Sequence, residues 1–126
     1  MEPVYLFNLI DRHKSWLSTR HSLVAQNVAN ANTPGYKAMD TLPFARVMER
    51  SALDMAGADP MHMRPSPGEA MAAAAKPAEG WETTFSGNTV SPEQEMIKVS
   101  EIRGAFTLAT NLQRSFHNMW MSAVRT

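Results

Sequence analysis

One stretch of the chain is decisive for the fold, Asn27-Val28-Ala29-Asn30-Ala31-Asn32-Thr33-Pro34-Gly35-Tyr36-Lys37. Thr33 precedes a proline, which pushes its backbone out of the helical region. Pro34 and Gly35 fit the two central positions of a type II turn, because glycine accepts the positive φ that the second position requires. Asn32 suits a helix end, where it caps carbonyl groups or takes the left-handed conformation. The stretch therefore predicts a helix that ends close to Asn32, followed by a tight turn.

A long helix is predicted before this turn. Residues 4–31 contain no Gly or Pro, and as a helix they would span about 42 Å. Their apolar residues recur at intervals of three, four or seven, which is typical of the buried face of a helix. The main apolar line consists of Leu6, Ile10, Leu17, Val24 and Ala31.

A second helix is predicted at the other end of the chain. Ser91 suits the N-cap and Pro92 the first helical position, and Gln94 would complete a capping box with Ser91. Glu93 and Glu95 complement the positive end of the helix dipole. An apolar line then follows, made of Val99, Ile102, Phe106, Ala109, Phe116, Trp120 and Ala123.

Both apolar lines approximate heptads, so we expect the two helices to pack as a coiled coil. The sequence thus predicts an all-α fold, with one domain in three parts. These are an N-terminal helix at residues 1–32, an irregular middle segment at 33–90 and a C-terminal helix at 91–126. A compact helical bundle is the alternative, and the small apolar surface of the middle segment disfavours it.

The middle segment is rich in residues that interrupt helices. Residues 33–92 hold seven of the eight Pro and five of the six Gly. We expect a short helix at Phe44–Met55 and an irregular, mobile loop at Gly57–Gly80. Glu82–Phe85 precedes the turn signal Gly87-Asn88, which predicts a short strand and a small β-hairpin.

Composition excludes several classes of function. Lys+Arg and Asp+Glu are both 12, and a neutral chain lacks the basic patch that binds nucleic acid. The absence of Cys excludes disulfides and thiolate chemistry. No apolar run approaches the roughly 18 residues of a membrane span. Met1–Arg12 lacks a basic segment followed by an apolar one, so we expect no cleaved signal peptide and no membrane insertion.

The histidines and methionines do not predict a metal site. His13 and His21 are eight positions apart, which separates them by about 12 Å along a helix and prevents them from sharing a metal. Met61-His62-Met63 has the soft donors of a copper site. A loop that is merely rich in methionine explains this triplet better, so we predict no metal and no other cofactor.

The carboxylates do not predict catalysis either. Glycosidases hold two carboxyl groups about 5 to 10 Å apart across a cleft. Glu93, Glu95 and Glu101 lie on one predicted helix, and the electrostatics of a helix start explain the first two. No arrangement of nucleophile and base appears in the sequence, so we predict that the protein is not an enzyme and has no catalytic residue.

The turn stretch also carries a family resemblance. It resembles the N-terminal signature of the flagellar axial proteins of the rod, hook and hook-associated parts. The stretch Gly87–Met96 is similar to the one that opens the last helix of the B-type rod proteins, and the C-type proximal rod proteins are the nearest alternative in the family. The signature is matched here by Asn27, Ala29, Asn30, Thr33, Gly35, Tyr36 and Lys37, with Pro34 inside it.

The resemblance implies a structural role in the bacterial flagellar basal body. A protein of this family would polymerise helically into the periplasmic proximal rod, transmit torque from rotor to hook and support motility. The implied partners are further copies of the chain, the C-type and F-type rod proteins, the FliE adaptor and the MS ring of the rotor. Passage through the flagellar type III export apparatus is implied as well. A secreted two-helix adaptor that does not polymerise is the alternative from another class.

The asparagines of the signature have two possible roles. Asn27 and Asn30 lie three apart on one face of the predicted helix. They either make amide hydrogen bonds between subunits or cap their own helix. We expect a mixture of the two, because polar groups on an apolar face need partners wherever they lie.

Overall fold

The computed structural model describes residues 3–51 and 75–125. Within these residues, three helices and two short strands follow one another. They are α1 (Pro3–Ala29), β1 (Met39–Thr41), α2 (Phe44–Ser51), β2 (Ala75–Pro77) and α3 (Pro92–Val124). No helix within the described residues is both long and apolar enough to cross a membrane.

The two long helices, α1 and α3, pack against each other in antiparallel directions. Asn27, near the end of α1, contacts Glu95 in the first turn of α3. Lys14, earlier in α1, contacts Gln113 far along α3. The predicted all-α fold with paired terminal helices is therefore confirmed, and the apolar periodicity of both segments explains the pairing.

A small core holds the middle of the helix pair together. Trp16, Leu17 and Val24 of α1 pack with Ile102 of α3, and all four are buried. The indole N–H of Trp16 donates to the carbonyl of Leu42 at 2.9 Å, which ties the start of α2 to α1. The partly buried residues around this core are Phe44, Val47, Val99 and Ala105.

The strands form a two-stranded antiparallel sheet beside the helix pair. Met39 lies opposite Pro77 and Thr41 opposite Ala75. The predicted short helix is confirmed as α2, although residues 52–55 of that prediction lie outside the described residues. Of the predicted loop at residues 57–80, residues 57–74 also lie outside the described part, and β2 replaces the loop at Ala75–Pro77.

The strand predicted at Glu82–Phe85 is wrong. Residues 84–88 form a turn instead, in which the Thr84 N–H donates to the carbonyl of Asn88 at 2.9 Å and the Gly87 N–H donates to that of Thr84 at 2.8 Å. Gly87 has φ +80°, and the hydroxyl of Thr84 bonds locally to Asn88 as well. Such local bonds compete with a sheet ladder.

The helix α3 begins where the sequence predicts, but its N-terminus is not capped in the predicted way. Ser91 is extended at the N-cap position and Pro92 begins the helix. The predicted capping box is wrong, because the Ser91 hydroxyl donates to the Glu93 carboxylate at 3.0 Å. The side-chain amide of Gln94 donates outward to the carbonyl of Glu79 at 3.2 Å.

Candidate functional site

The turn after α1 is built as its sequence predicts. The Tyr36 N–H donates to the carbonyl of Thr33 at 3.3 Å, which closes a turn with Pro34 and Gly35 in its centre. Gly35 has φ +72°, the region that the second central position of a type II turn requires. The chain therefore reverses sharply here and runs into β1.

Asn27 connects the end of α1 to both β1 and α3. Its side chain is fully buried. The amide nitrogen donates to the carbonyl of Met39 at 2.8 Å and to the Glu95 carboxylate at 3.0 Å. The amide oxygen accepts the Met39 N–H at 3.0 Å and the Tyr36 hydroxyl at 3.4 Å. All of these partners belong to the same chain, so the amide is satisfied inside the subunit.

Asn30 is satisfied locally too. Its amide nitrogen donates to the carbonyl of Gln26 in the last turn of α1, at 2.8 Å. Its amide oxygen accepts the Thr33 hydroxyl at 3.2 Å. The contacts of both signature asparagines lie within the single chain: Asn27 reaches β1 and α3, and Asn30 bonds at its own helix end. A role between subunits stays a prediction.

Asn88, in the turn that precedes α3, caps the end of α1. Its amide nitrogen lies within hydrogen-bonding distance of the carbonyls of Asn30, Ala31 and Thr33, at 2.9, 3.1 and 2.8 Å. Its amide oxygen accepts the Val90 N–H at 2.7 Å. The left-handed conformation considered for Asn32 is absent, since no described residue other than glycine has positive φ. Asn88 satisfies the free carbonyls at the helix end in its place.

The two stretches that carry the family resemblance lie against each other. The Gly35 N–H donates to the carbonyl of Ser86 at 2.9 Å, and the Lys37 ammonium donates to that of Gly87 at 3.0 Å. A Cβ on Gly87 would lie 3.6 Å from the Cα of Gly35. We call this junction, residues 27–38 with residues 84–90, the helix clasp.

A chain of charged side chains continues from the clasp along the helix pair. Lys98 is buried and lies 2.8 Å from the Glu95 carboxylate and 3.4 Å from that of Asp40. Arg20 pairs with Asp40 at 3.1 Å and with Glu101 at 3.5 Å. The charges alternate in sign, so α1, β1 and α3 are joined by one ion network in which the buried carboxylate of Glu95 is paired.

The network changes the pKa of one member. Burial by itself raises the pKa of Asp40, but the hydrogen bond and charge of Arg20, the Thr41 N–H and the charge of Lys98 outweigh it. The pKa of Asp40 therefore lies below its ordinary value of 3.8. The carboxylate stays charged at every pH at which the protein is expected to work.

The remaining polar residues considered in the sequence do not form a metal centre. His13 stacks on Trp16 at 5.7 Å between ring centroids and meets the edge of Phe44 at 4.8 Å, and burial lowers its pKa. Within residues 3–51 and 75–125, no three His, Asp or Glu side chains gather as metal ligands. The triplet Met61–Met63 lies outside the described residues.

The structure divides the predicted packing residues into two groups. Ile10, Leu17, Val24 and Ile102 are buried, and Leu6 and Val99 are partly buried. Three others are substantially exposed in the single chain: Phe106, Phe116 and Trp120. The exposed three do not contribute a closed core within one subunit, and their packing between subunits stays a prediction.

Sequence reasoning missed the polar partners of the clasp. It treated Gly87-Asn88 as a turn signal and Glu95 as a complement to the helix dipole. The bond of Asn88 to Thr33 and the bond of Glu95 to Asn27 have no local signal, because the two partners lie 55 and 68 positions apart. Lys98 at the third position after Glu95 was the one feature that spacing could have shown.

Comparison with known proteins assigns the family. The sequence model of the flagella basal body rod protein family matches residues 17–37, which hold the second half of α1 and the turn. The flagellar basal body rod protein FlgB of Agrobacterium fabrum (strain C58 / ATCC 33970) is 38% identical over 131 positions, covering 99% of this chain and 96% of that protein. The resemblance predicted from the sequence is confirmed, and the chain belongs to the flagellar basal body rod protein family.

Proposed function

We propose that the chain is a structural subunit of the proximal rod, of the B type, which polymerises helically and transmits torque from the rotor to the hook. The similarity to a FlgB protein over nearly the whole chain supports the B type. Cells that lack the protein would not swim, because the rod would be incomplete.

One observation carries this proposal: α3 leaves a large apolar surface uncovered in the single chain. Monomeric soluble proteins seldom expose large contiguous apolar patches, which usually mark interaction sites. The surface has members on more than one side of the helix, so a single neighbouring helix would not cover it. It consists of Phe106, Leu108, Leu112, Phe116, Met119, Trp120, Met121 and Val124.

The helix clasp and the ion network suit a subunit that has to resist mechanical stress. Asn27 and Asn88 hold the end of α1 with hydrogen bonds at 2.8–3.4 Å, and Arg20 and Lys98 cross-link α1, β1 and α3. Sliding of one helix along the other would break several of these contacts together. A subunit built in this way resists shear, which is the stress that rotation imposes on a rod. We infer a structural role and no enzymatic one.

The proposed surroundings follow from the family. The subunit would lie in the periplasmic part of the basal body, next to further copies of itself, the C-type and F-type rod proteins, the FliE adaptor and the MS ring. It would arrive through the flagellar type III export apparatus with its N-terminus uncleaved. N-terminal sequencing of the protein in purified basal bodies tests the last point.

The second candidate is a two-helix adaptor that binds one partner and does not polymerise. The breadth of the exposed surface on α3 favours polymerisation, since an adaptor needs only one covered face. The C-type rod protein is the alternative within the family, and the similarity to a FlgB protein favours the B type.

Purified basal bodies test the proposal. A strain in which the gene is deleted should yield basal bodies without a complete rod, and the restored gene should return the rod and motility. Cryo-electron microscopy of the restored particles should place several copies of the chain in helical order next to the rotor ring. A complete rod in the deletion strain, or a single copy beside the rod, would contradict the proposal.

A further inference from the structure

Three methionine side chains of α3 are exposed in the single chain. Met119 and Met121 belong to the apolar surface along the later part of the helix and are 56% and 45% exposed. Met96, near the start of α3, is 72% exposed and lies outside that surface. The other methionines within the described residues, Met39 and Met48, are partly buried. An oxidant in solution therefore has direct access to the three side chains of α3.

Methionine supplies all the sulfur chemistry of this chain, because the sequence has no cysteine and no thiol competes for an oxidant. In the reaction with hydrogen peroxide, the thioether sulfur uses a lone pair to bond one peroxide oxygen, the O–O bond breaks and water leaves. Methionine is oxidised by two electrons and the peroxide is reduced by two. The product is methionine sulfoxide, in which an apolar side chain has become polar.

Met119 and Met121 lie on the two flanks of α3. An α-helix turns by about 100° per residue, so Met119 lies about 100° to one side of the buried Ile102 and Met121 about 100° to the other. Leu108, Leu112 and Met119 are spaced by four and seven positions, which places them in one line along the helix. Neighbouring helices on either flank would therefore each cover one methionine.

Oxidation at these two positions would act on assembly and not on folding. A thioether fits an irregular apolar contact well, because the side chain is flexible and its sulfur is polarizable. A sulfoxide oxygen in the same contact would be buried without a hydrogen-bond donor, which is unfavourable. In the single chain both side chains face the solvent, so the sulfoxides there lose nothing.

We propose that Met119 and Met121 are oxidation sites that control assembly: a free subunit with both thioethers joins the rod, and one with a sulfoxide at either site is excluded. This inference rests on the proposed function, since it requires neighbouring copies to cover this surface of α3. After incorporation the neighbours shield both sulfurs, so the free subunit is the sensitive form. Methionine sulfoxide reductases restore the thioether, so the exclusion is reversible.

Glutamine variants test the effect of a polar oxygen at these sites without any oxidant. Glutamine is close to methionine in length and carries an amide oxygen that accepts hydrogen bonds. Met119→Gln and Met121→Gln should each reach rods several-fold less than the matching leucine variants, which keep an apolar side chain of similar volume. The urea midpoint of the single chain should be the same for all four. Met96→Gln is the control and should assemble as the native chain does.

Hydrogen peroxide, added while rods grow, tests the oxidation itself. Peptide mass spectrometry of the secreted chain locates the sulfoxides, and each chain is compared with its own untreated incorporation into rods. Incorporation should fall several-fold for the native chain and for Met96→Leu, and much less for the double variant Met119→Leu/Met121→Leu.

Two results would overturn the oxidation control. One is a loss of assembly in Met96→Gln as large as in Met119→Gln. The other is an equal fall under peroxide for the native chain and the double leucine variant. Both would leave the rod subunit itself untouched, because gene deletion tests that role independently.

Discussion

At the scale of single residues, two buried amides set the geometry at the end of α1. Asn27 satisfies both backbone groups of Met39 in β1, and Asn88 satisfies carbonyls at the end of α1 and in the turn. Gly35 supplies the backbone conformation that lets the chain turn between them. A helix end with unpaired carbonyls would otherwise have to face water, so these three positions determine where α1 stops.

Replacing the amide of Asn27 should destabilise the folded chain. Asn27→Leu leaves the Met39 N–H and carbonyl without their partner and removes a donor from the buried Glu95, so we expect the free energy of unfolding to fall by at least about 2 kcal/mol. Asn30→Ala is the matched control, because the bonds of Asn30 are exposed, and its effect should stay below about 1 kcal/mol. Urea unfolding followed by circular dichroism measures both. Equal losses of stability in Asn27→Leu and Asn30→Ala would show that burial of the Asn27 amide does not explain its effect.

A second prediction concerns Gly35. No atom lies within 4 Å of a Cβ built on it, so a side chain there meets no obstacle and only the positive φ opposes it. Gly35→Val should therefore be exported but fail to complete the rod, with about 1–3 kcal/mol of strain, whereas Gly35→Asn keeps partial function because asparagine tolerates this region.

The control for the Gly35 variants is Gly104→Ala. Gly104 lies within α3, also in open space, where alanine favours the helix by up to about 1 kcal/mol. Rod yields from secreted and basal-body fractions compare the three variants. Equal assembly by the valine and asparagine variants would rule out the backbone of the turn as the constraint.

At the scale of elements, the antiparallel pair of α1 and α3 depends on polar contacts as much as on its small core. The apolar cluster is confined to the middle of the pair, and the clasp and the ion network extend the contact to one end. Buried ion pairs contribute little net stability when compared with an apolar core, but losing one partner is costly. The network therefore selects one alignment of the helices over slipped ones.

The ion network predicts a stability that depends on pH in the acid range. The folded-state pKa of Asp40 is depressed, so its contribution is fully present above its unfolded pKa of about 3.9 and is lost as the pH falls through the lower folded value. Asp40→Asn should lower the free energy of unfolding by roughly 2 kcal/mol at pH 6. The difference in that free energy between the variant and the native chain should narrow below about pH 4.

Glu101→Gln is the control for this prediction. Glu101 is at the exposed rim of the network, with 58% of its side chain accessible, so its loss should cost less than about 1 kcal/mol. Thermal unfolding of both variants between pH 3 and pH 7 tests whether the effect of Asp40→Asn depends on the charge of the carboxylate. A gap for Asp40→Asn that stays constant as the pH falls would assign the effect to packing.

At the scale of the whole molecule, the large apolar residues form two groups, one buried in the core and one exposed on the surface of the single chain. Leu17 is 1% exposed, while Phe106 is 46% exposed and lies under the Lys14 ammonium, 5.5 Å from its ring centre. Leu17→Ala should destabilise the single chain by about 2–5 kcal/mol and also prevent assembly. Phe106→Ala should leave the unfolding midpoint of the single chain nearly unchanged and still reduce the amount of protein in rods.

Urea midpoints and rod fractions, measured for both variants in parallel, separate the two surfaces. A large loss of single-chain stability in Phe106→Ala would place that ring in the core of the subunit. Native rod assembly by the same variant would remove Phe106 from the proposed interface.

The sequence was sufficient for the parts of the fold that depend on local patterns. The periodicity around Leu17 and Ile102 predicted both helices, and Pro34-Gly35 predicted the turn between α1 and β1. The polar contacts of the clasp and of the ion network could not be predicted, because Asn88 and Glu95 find their partners only after the chain has folded back. The strand expected at Glu82–Phe85 failed for the same reason, since a strand needs an edge to pair with and local bonds of Thr84 formed instead.

The pairing of β1 with β2 has a consequence for engineering. Because Met39 lies opposite Pro77, the chain leaves and re-enters the helix pair at points that are roughly 5 Å apart. A foreign domain whose own termini are adjacent can be spliced between these strands without spreading the helices, as domain insertion requires. The sheet therefore marks an insertion site, at which a fluorescent or tension-sensing module could be attached to each copy of the chain.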